Sequence, residues 1–283
     1  MRALGIIAIV LLLFSCQGEN TVEPIPKENV SAGPKGKLFI IGGGSRPMEM
    51  MEELVNMSVS DNGYILVMSQ SSIEPDTSFY YVALQLKEFT DQPVIHVDSV
   101  LIQSFSLDSI ANADLIYLTG GDQNRFKRNV PESAKEAIRA AYRQGATVAG
   151  TSAGAALMSK VMITGDQQNE PEYESTYRRL EYGNAITSEG LGLLDSVLVD
   201  QHFVARSRYN RILSVMADLD YPTGAGIEES TALVVLPKGA TVVGKGQVLV
   251  FSRPAEYTEK NDKIGFKDMN FNAYLQGDTF QLK

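Results

Sequence analysis

The chain has 283 residues, 34 acidic against 25 basic side chains and a formal net charge of −9, with 44% hydrophobic and 21% charged residues. That balance argues against nucleic acid as a partner, because phosphate binding needs a basic surface, and against an electrostatic hold on anionic lipid. A single cysteine and two histidines exclude an intramolecular disulfide and a cysteine-rich metal site. No His/Cys/Asp grouping has ligand spacing, so no metal or organic cofactor is implied.

The chain opens with Met1-Arg2, an apolar run over residues 3–14, and Leu13-Phe14-Ser15-Cys16. The run is shorter than the roughly 20 residues that span a bilayer and has the proportions of a signal-peptide core. A small residue before Cys16 resembles a bacterial lipobox, in which Cys16 is lipidated and becomes the mature N-terminus. Residues 1–16 are thus expected to be a lipoprotein signal peptide. Residues 17–36, polar and rich in Pro and Gly, are expected to form a flexible tether, and residues 37–283 one domain. An exported bacterial lipoprotein follows, anchored by lipid on the periplasmic or cell-surface face.

Three apolar runs come next, at 37–41, 64–68 and 115–118. They end in Gly42-Gly43-Gly44-Ser45, Ser69-Gln70-Ser71-Ser72 and Thr119-Gly120-Gly121-Asp122-Gln123. Helical spacing over 48–57, 78–89 and 132–144 separates them. Continuous apolar strands alternating with helices predict an α/β fold with a predominantly parallel sheet flanked by helices. Ligands of such sheets bind beyond the carboxyl ends of the strands, which gathers residues 42–45 and 120–123 at one rim.

Residues 146–149 read as a fourth buried strand, followed by Gly150-Thr151-Ser152-Ala153-Gly154-Ala155 and a helix start. A serine among small residues at a strand-to-helix turn meets the mechanical requirement of a nucleophile elbow. A plain connection or a phosphate cradle would also fit these residues. A serine nucleophile needs a base. His96 lies inside an apolar run and suits a structural role, whereas His202 follows a strand-like run at 197–201 and reaches the rim if that strand is parallel. Glu228 and Glu229 offer a carboxylate to orient the imidazole. Neighbours on an extended segment face opposite ways, so one of the two reaches it, and spacing does not say which. Arg206, Arg208 and Arg211 read either as a solvated basic face of a helix over 209–217 or as carboxylate binders. Residues 231–237 and 241–251 read as a C-terminal β-hairpin, and residues 164–190 as a polar insert.

In order, Gly120-Gly121-Asp122-Gln123, the Ser152 hexapeptide, Asp200-Gln201-His202-Phe203 and Gly226-Ile227-Glu228-Glu229-Ser230-Thr231-Ala232-Leu233 resemble the cyanophycinase branch of the cyanophycinase/dipeptidase E family of serine peptidases. The similarity runs from about residue 37 to about 251. It implies a class I glutamine amidotransferase-like fold, with Ser152 as nucleophile, His202 as base and Glu229 as the acid. It further implies an oxyanion hole at the backbone of Gly121 and Ala153, and a substrate pocket with Gln123, Gln201, Arg206, Arg208 and Arg211. The implied activity is that of a serine exopeptidase acting on the β-aspartyl-arginine linkages of cyanophycin and releasing β-Asp-Arg. Such a substrate needs an acid for its guanidinium, and Asp200, two residues before His202, reads either as that acid or as a strand-end cap. An aspartyl or isoaspartyl dipeptidase and a non-catalytic surface binding lipoprotein are the alternatives. The partner is a peptide or polymer rich in aspartyl-arginine, and a homodimer is compatible with the resemblance. Replacing Glu229 should cost much more than replacing Glu228.

Overall fold

The structure is a computed structural model that describes residues 34–97, 106–170 and 172–282. Cys16, the signal peptide and residues 17–33 of the tether lie outside the described residues. Five strands run parallel: β1 (Lys37–Ile41), β2 (Ile65–Met68), β3 (Val94–Val97), β4 (Leu115–Leu118) and β5 (Thr147–Thr151). They pair in the order β3-β2-β4-β5-β1. Along β1, Leu38 and Ile40 join one apolar core while Phe39 and Ile41 join another. That is the period-2 alternation of a strand buried on both faces.

The first core packs α3 (Leu107–Ala111), α4 (Gln123–Asn129) and α5 (Glu132–Gln144) on the sheet through Ile110, Phe126 and Ile138. The second packs α1 (Met48–Ser58) and α2 (Pro75–Lys87) through Met51, Leu54, Val82 and Leu86. α2 starts three residues earlier than the spacing predicts because Pro75 occupies its first turn, where its fixed φ suits a helix and its missing N–H costs nothing.

Beyond β1 the sheet continues antiparallel through β10 (Thr231–Leu236), β11 (Gly239–Gly244) and β16 (Thr279–Phe280). The predicted hairpin exists as β10–β11, but its second run does not continue to residue 251. The chain leaves the sheet after Gly244, where φ is +121°, and Gly246 N–H donates to Thr231 Oγ1 at 2.7 Å. The remainder becomes β12 (Val248–Ser252) of a second sheet.

That sheet has the order β15-β12-β9-β8, with β8 (Val197–Gln201), β9 (Thr223–Ile227) and β15 (Phe271–Tyr274). It is covered by α7 (Tyr209–Asp218) through Ile212, Val215 and Met216. β8 runs parallel to β9 and so belongs to this second sheet, not to the main one. The polar insert forms the antiparallel pair β6 (Val161–Gln167) and β7 (Ala185–Glu189), irregular between Ile163 and Gln167. β13 (Glu256–Lys260) and β14 (Lys263–Lys267) form a separate hairpin.

Candidate active site

Ser152 follows β5 with φ 54° and ψ −111°, a region that non-glycine residues leave unless surrounding structure holds them there. Its N–H donates to Ile41 O of the neighbouring β1 at 3.1 Å. α6 (Ala153–Ala156) begins at once. A Cβ on Gly154 would stand 2.3 Å from Leu118 O, so the tight approach of this helix to β4 requires the glycine. Gly120, in the turn after β4, faces Ser152, and a Cβ there would stand 3.4 Å from Ser152 Cβ.

His202 directly follows β8, also at positive φ, 50°. Its N–H donates to Gly42 O at 2.7 Å, which ties the end of β8 to the end of β1 although the two strands lie in different sheets. Gly43 carries φ +101°, and a Cβ there would fall 2.3 Å from His202 Cε1. The glycine run after β1 thus makes room for the imidazole. His202 Nε2 lies 2.9 Å from Ser152 Oγ, and Nδ1 lies 2.5 Å from Glu229 Oε1. Burial pushes the imidazole below its ordinary pKa of 6.5; the Glu229 bond works upward, and the charges of Arg206 and Arg208 work downward. Glu228 points elsewhere, accepting from Val204 N–H at 2.7 Å and Ala205 N–H at 3.2 Å.

Next to Ser152 opens a cavity of about 390 Å³. It is lined by Gln201, Arg206, Arg208 and Arg211 together with Thr164, Gly165, Asp166 and Tyr173 of the insert. Gln123 also faces it and is fixed by donating from Nε2 to Ile163 O at 2.6 Å and Thr164 O at 2.9 Å.

Two of the three arginines do not form a solvated helix face: Arg208 is 2% exposed and Arg211 1%. Arg211 donates from Nε to Asp200 Oδ2 at 2.6 Å and from Nη2 to Oδ1. Burial acts against its charge, but Asp200 holds it above the usual guanidinium range. Arg208 donates to Gln201 O at 2.7 Å and Oε1 at 2.6 Å. Burial and the charge of Arg211 bring it down to about 10, still a cation at neutral pH.

Asp200 departs from the expectation of a substrate-facing acid. It is 1% exposed, both its oxygens are engaged by Arg211, and it is absent from the cavity wall. A carboxylate in the strand interior is tolerated only when paired, and here it orders the arginines. The acids on the wall are Asp122 and Asp166. Asp122 caps α4 through Asn124 N–H; Asp166 is exposed. The insert's position between Ser152 and His202 marks it as a place for specificity loops, but with no motif to single out Asp166 or Tyr173 their place on the cavity comes from the structure. His96 stands apart, bonded to Ser69 Oγ at 2.6 Å and stacked on Phe79.

The family model of peptidase family S51 matches residues 38–243. The chain belongs to that family. It is a serine-type peptidase of the cyanophycinase/dipeptidase E group. A cyanophycinase of Synechococcus elongatus is 28% identical over 93% of this chain and 84% of its own length. A cyanophycinase of Trichormus variabilis is 39% identical over 59% of this chain and 56% of its own. Among solved structures, a peptidase from an acI-B1 Actinobacterium superposes with a TM-score of 0.63 at 17% identity, covering 89% of this chain and 99% of that one. It shares the fold.

Proposed function

We propose that this S51 peptidase is a cyanophycinase-type exopeptidase working through Ser152, His202 and Glu229. The observation that carries the proposal is the unbroken chain Ser152 Oγ–His202 Nε2–His202 Nδ1–Glu229 Oε1, with contacts of 2.9 and 2.5 Å, at the mouth of an arginine-walled cavity. His202 Nε2 takes the Ser152 proton as Oγ attacks the carbonyl carbon, and Glu229 accepts the Nδ1–H and stabilises the imidazolium. The backbone N–H groups of Ala153 and Gly121 receive the oxyanion, each such donor being worth about 3–4 kcal/mol in the transition state. The amine leaves with the proton from His202. Water then attacks the Ser152 ester by the reverse relay, restoring the free serine and a carboxylate.

Atom bookkeeping fixes which bond breaks. If β-Asp-Arg is released intact, its isopeptide bond survives, so the scissile bond is the main-chain peptide between consecutive aspartates. The expectation that the isopeptide itself is cut is set aside. Arg208 holds Asp200 only at its Oδ1, 3.7 Å away, because Arg211 engages both oxygens of that acid more closely. Arg208 and Arg206 therefore bind carboxylates of the β-Asp-Arg unit. Asp166 of the insert takes the guanidinium. Digesting cyanophycin beside a panel of isoaspartyl dipeptides and identifying the products tests this. Intact β-Asp-Arg supports the proposal, free arginine contradicts the bond assignment, and turnover of dipeptides alone moves the substrate to the smaller class.

The location belongs to the same proposal: the protein is exported and lipid-anchored through Cys16, where it would meet polymer outside the cell. Support comes from the apolar run 3–14 and the Leu13-Phe14-Ser15-Cys16 sequence. Cys16→Ser should move the protein from the membrane fraction to the soluble one; unchanged fractionation would contradict the anchor.

A further inference from the structure

Glu228 and Glu229 are consecutive, and their side chains diverge as neighbours on an extended segment must. Glu229 meets the imidazole of His202; Glu228 Oε2 meets the backbone two and three residues further on, at Val204 and Ala205 N–H. Those N–H groups open a compact turn in which Arg206 N–H returns to His202 O at 3.0 Å and Arg208 N–H to Phe203 O at 2.9 Å. The first donors of a helical turn have no earlier carbonyl in the turn to reach, and a carboxylate acceptor is the usual remedy. His202 itself sits at φ 50°, so the backbone around it must be held from both sides. Gly42 O accepts from His202 N–H and Ile227 O from Phe203 N–H. On its C-terminal side stands Glu228. The glutamate is itself fixed: its N–H donates to Gln247 O at 3.0 Å, and Gly246 leaves no more than the space its Cγ needs, a Cβ there falling 2.6 Å from it.

Resting on the triad proposed above, we infer that Glu228 is a positioning residue for the base. Glu229 orients the ring of His202 and Glu228 fixes the main-chain turn that carries it, so both halves of the acidic pair serve one histidine. Glu228 acts through acceptor bonds of a given reach, not through charge at the ring. A small displacement of a reacting group is enough to cost about 100-fold in rate.

The test compares Glu228→Gln, Glu228→Asp and Glu228→Ala in the full chain. The readouts are the rate of Ser152 labelling by a fluorophosphonate, which needs no substrate recognition, and kcat on cyanophycin. Glu228→Gln keeps an acceptor oxygen at the same reach. It should stay within about threefold of the parent with an unmoved acid limb of the pH profile. Glu228→Asp keeps the charge but loses the reach, and should fall about 10- to 100-fold with Glu228→Ala. The opposite ranking, equal rates in all three, or an acid limb moved by Glu228→Gln overturns the inference. If Glu228→Ala does not fold, the Gln and Asp pair still decides. A parent chain in which Ser152 is not labelled overturns the triad and this inference together. A labelled parent with indifferent variants overturns this one alone.

Discussion

Arg211 grips both carboxylate oxygens of Asp200, the residue two places before His202, in a site from which solvent is almost excluded. The pair sets the charge of the cavity. It offsets the charge of Arg211, while Arg208 reaches the same acid only at 3.7 Å and lines the cavity with Arg206. Asp200→Asn should therefore strand a buried guanidinium, a change that costs about 3–5 kcal/mol and will show as a lowered melting temperature. A direct guanidinium-binding role would instead raise KM with the melting temperature intact.

The acid limb of kcat/KM should lie below 6.5, because the base works when neutral and His202 is held below that value, chiefly by burial. Arg206 contributes to the lowering, so Arg206→Ala should move the limb upward. Glu229 opposes it, so Glu229→Gln should move the limb downward while cutting the rate by about 10⁴-fold. A pH–rate series on the three proteins checks both signs.

Asp166→Asn should raise KM for arginine-bearing substrate by about 10-fold, the scale of one charge-assisted hydrogen bond, with kcat little changed. The side chain is exposed, so stability should not move. A panel that replaces arginine with a neutral residue should erase the difference between parent and variant.

Gly43→Ala places a methyl group against the His202 ring at a φ of +101°. Activity should fall by at least about 100-fold, well before the protein loses its fold by circular dichroism. Parent-like turnover would show that the imidazole does not need this approach.

Sequence patterning reached the main sheet because β1 and β4 are continuous apolar runs and β1 and α5 are bounded by glycine or proline, and 37–41, 115–118 and 132–144 match the observed spans. It reached His202 by a route that topology changed. β8 is parallel, but to β9 in the second sheet, and the histidine meets Ser152 through the bond from its own N–H to Gly42 O. Composition could not reveal that Arg208 and Arg211 are buried, since their partners Gln201 and Asp200 lie seven and eleven residues away, across the turn after β8. The break at Lys245 is marked by the strand-disfavouring Gly244 and Gly246 on either side of it, a signal the reading of 241–251 as one run passed over, and the pairing of β12 with β9 divides the run there. Asp166 and Tyr173 became visible only when the insert folded over the cavity.

The most direct measurement is the release of β-Asp-Arg from cyanophycin by the purified protein beside its Ser152→Ala variant. Intact β-Asp-Arg should accumulate with the parent and fall by about 10⁴-fold or more with the variant. Equal release by the two proteins, or none from a parent that is otherwise folded, would contradict the account.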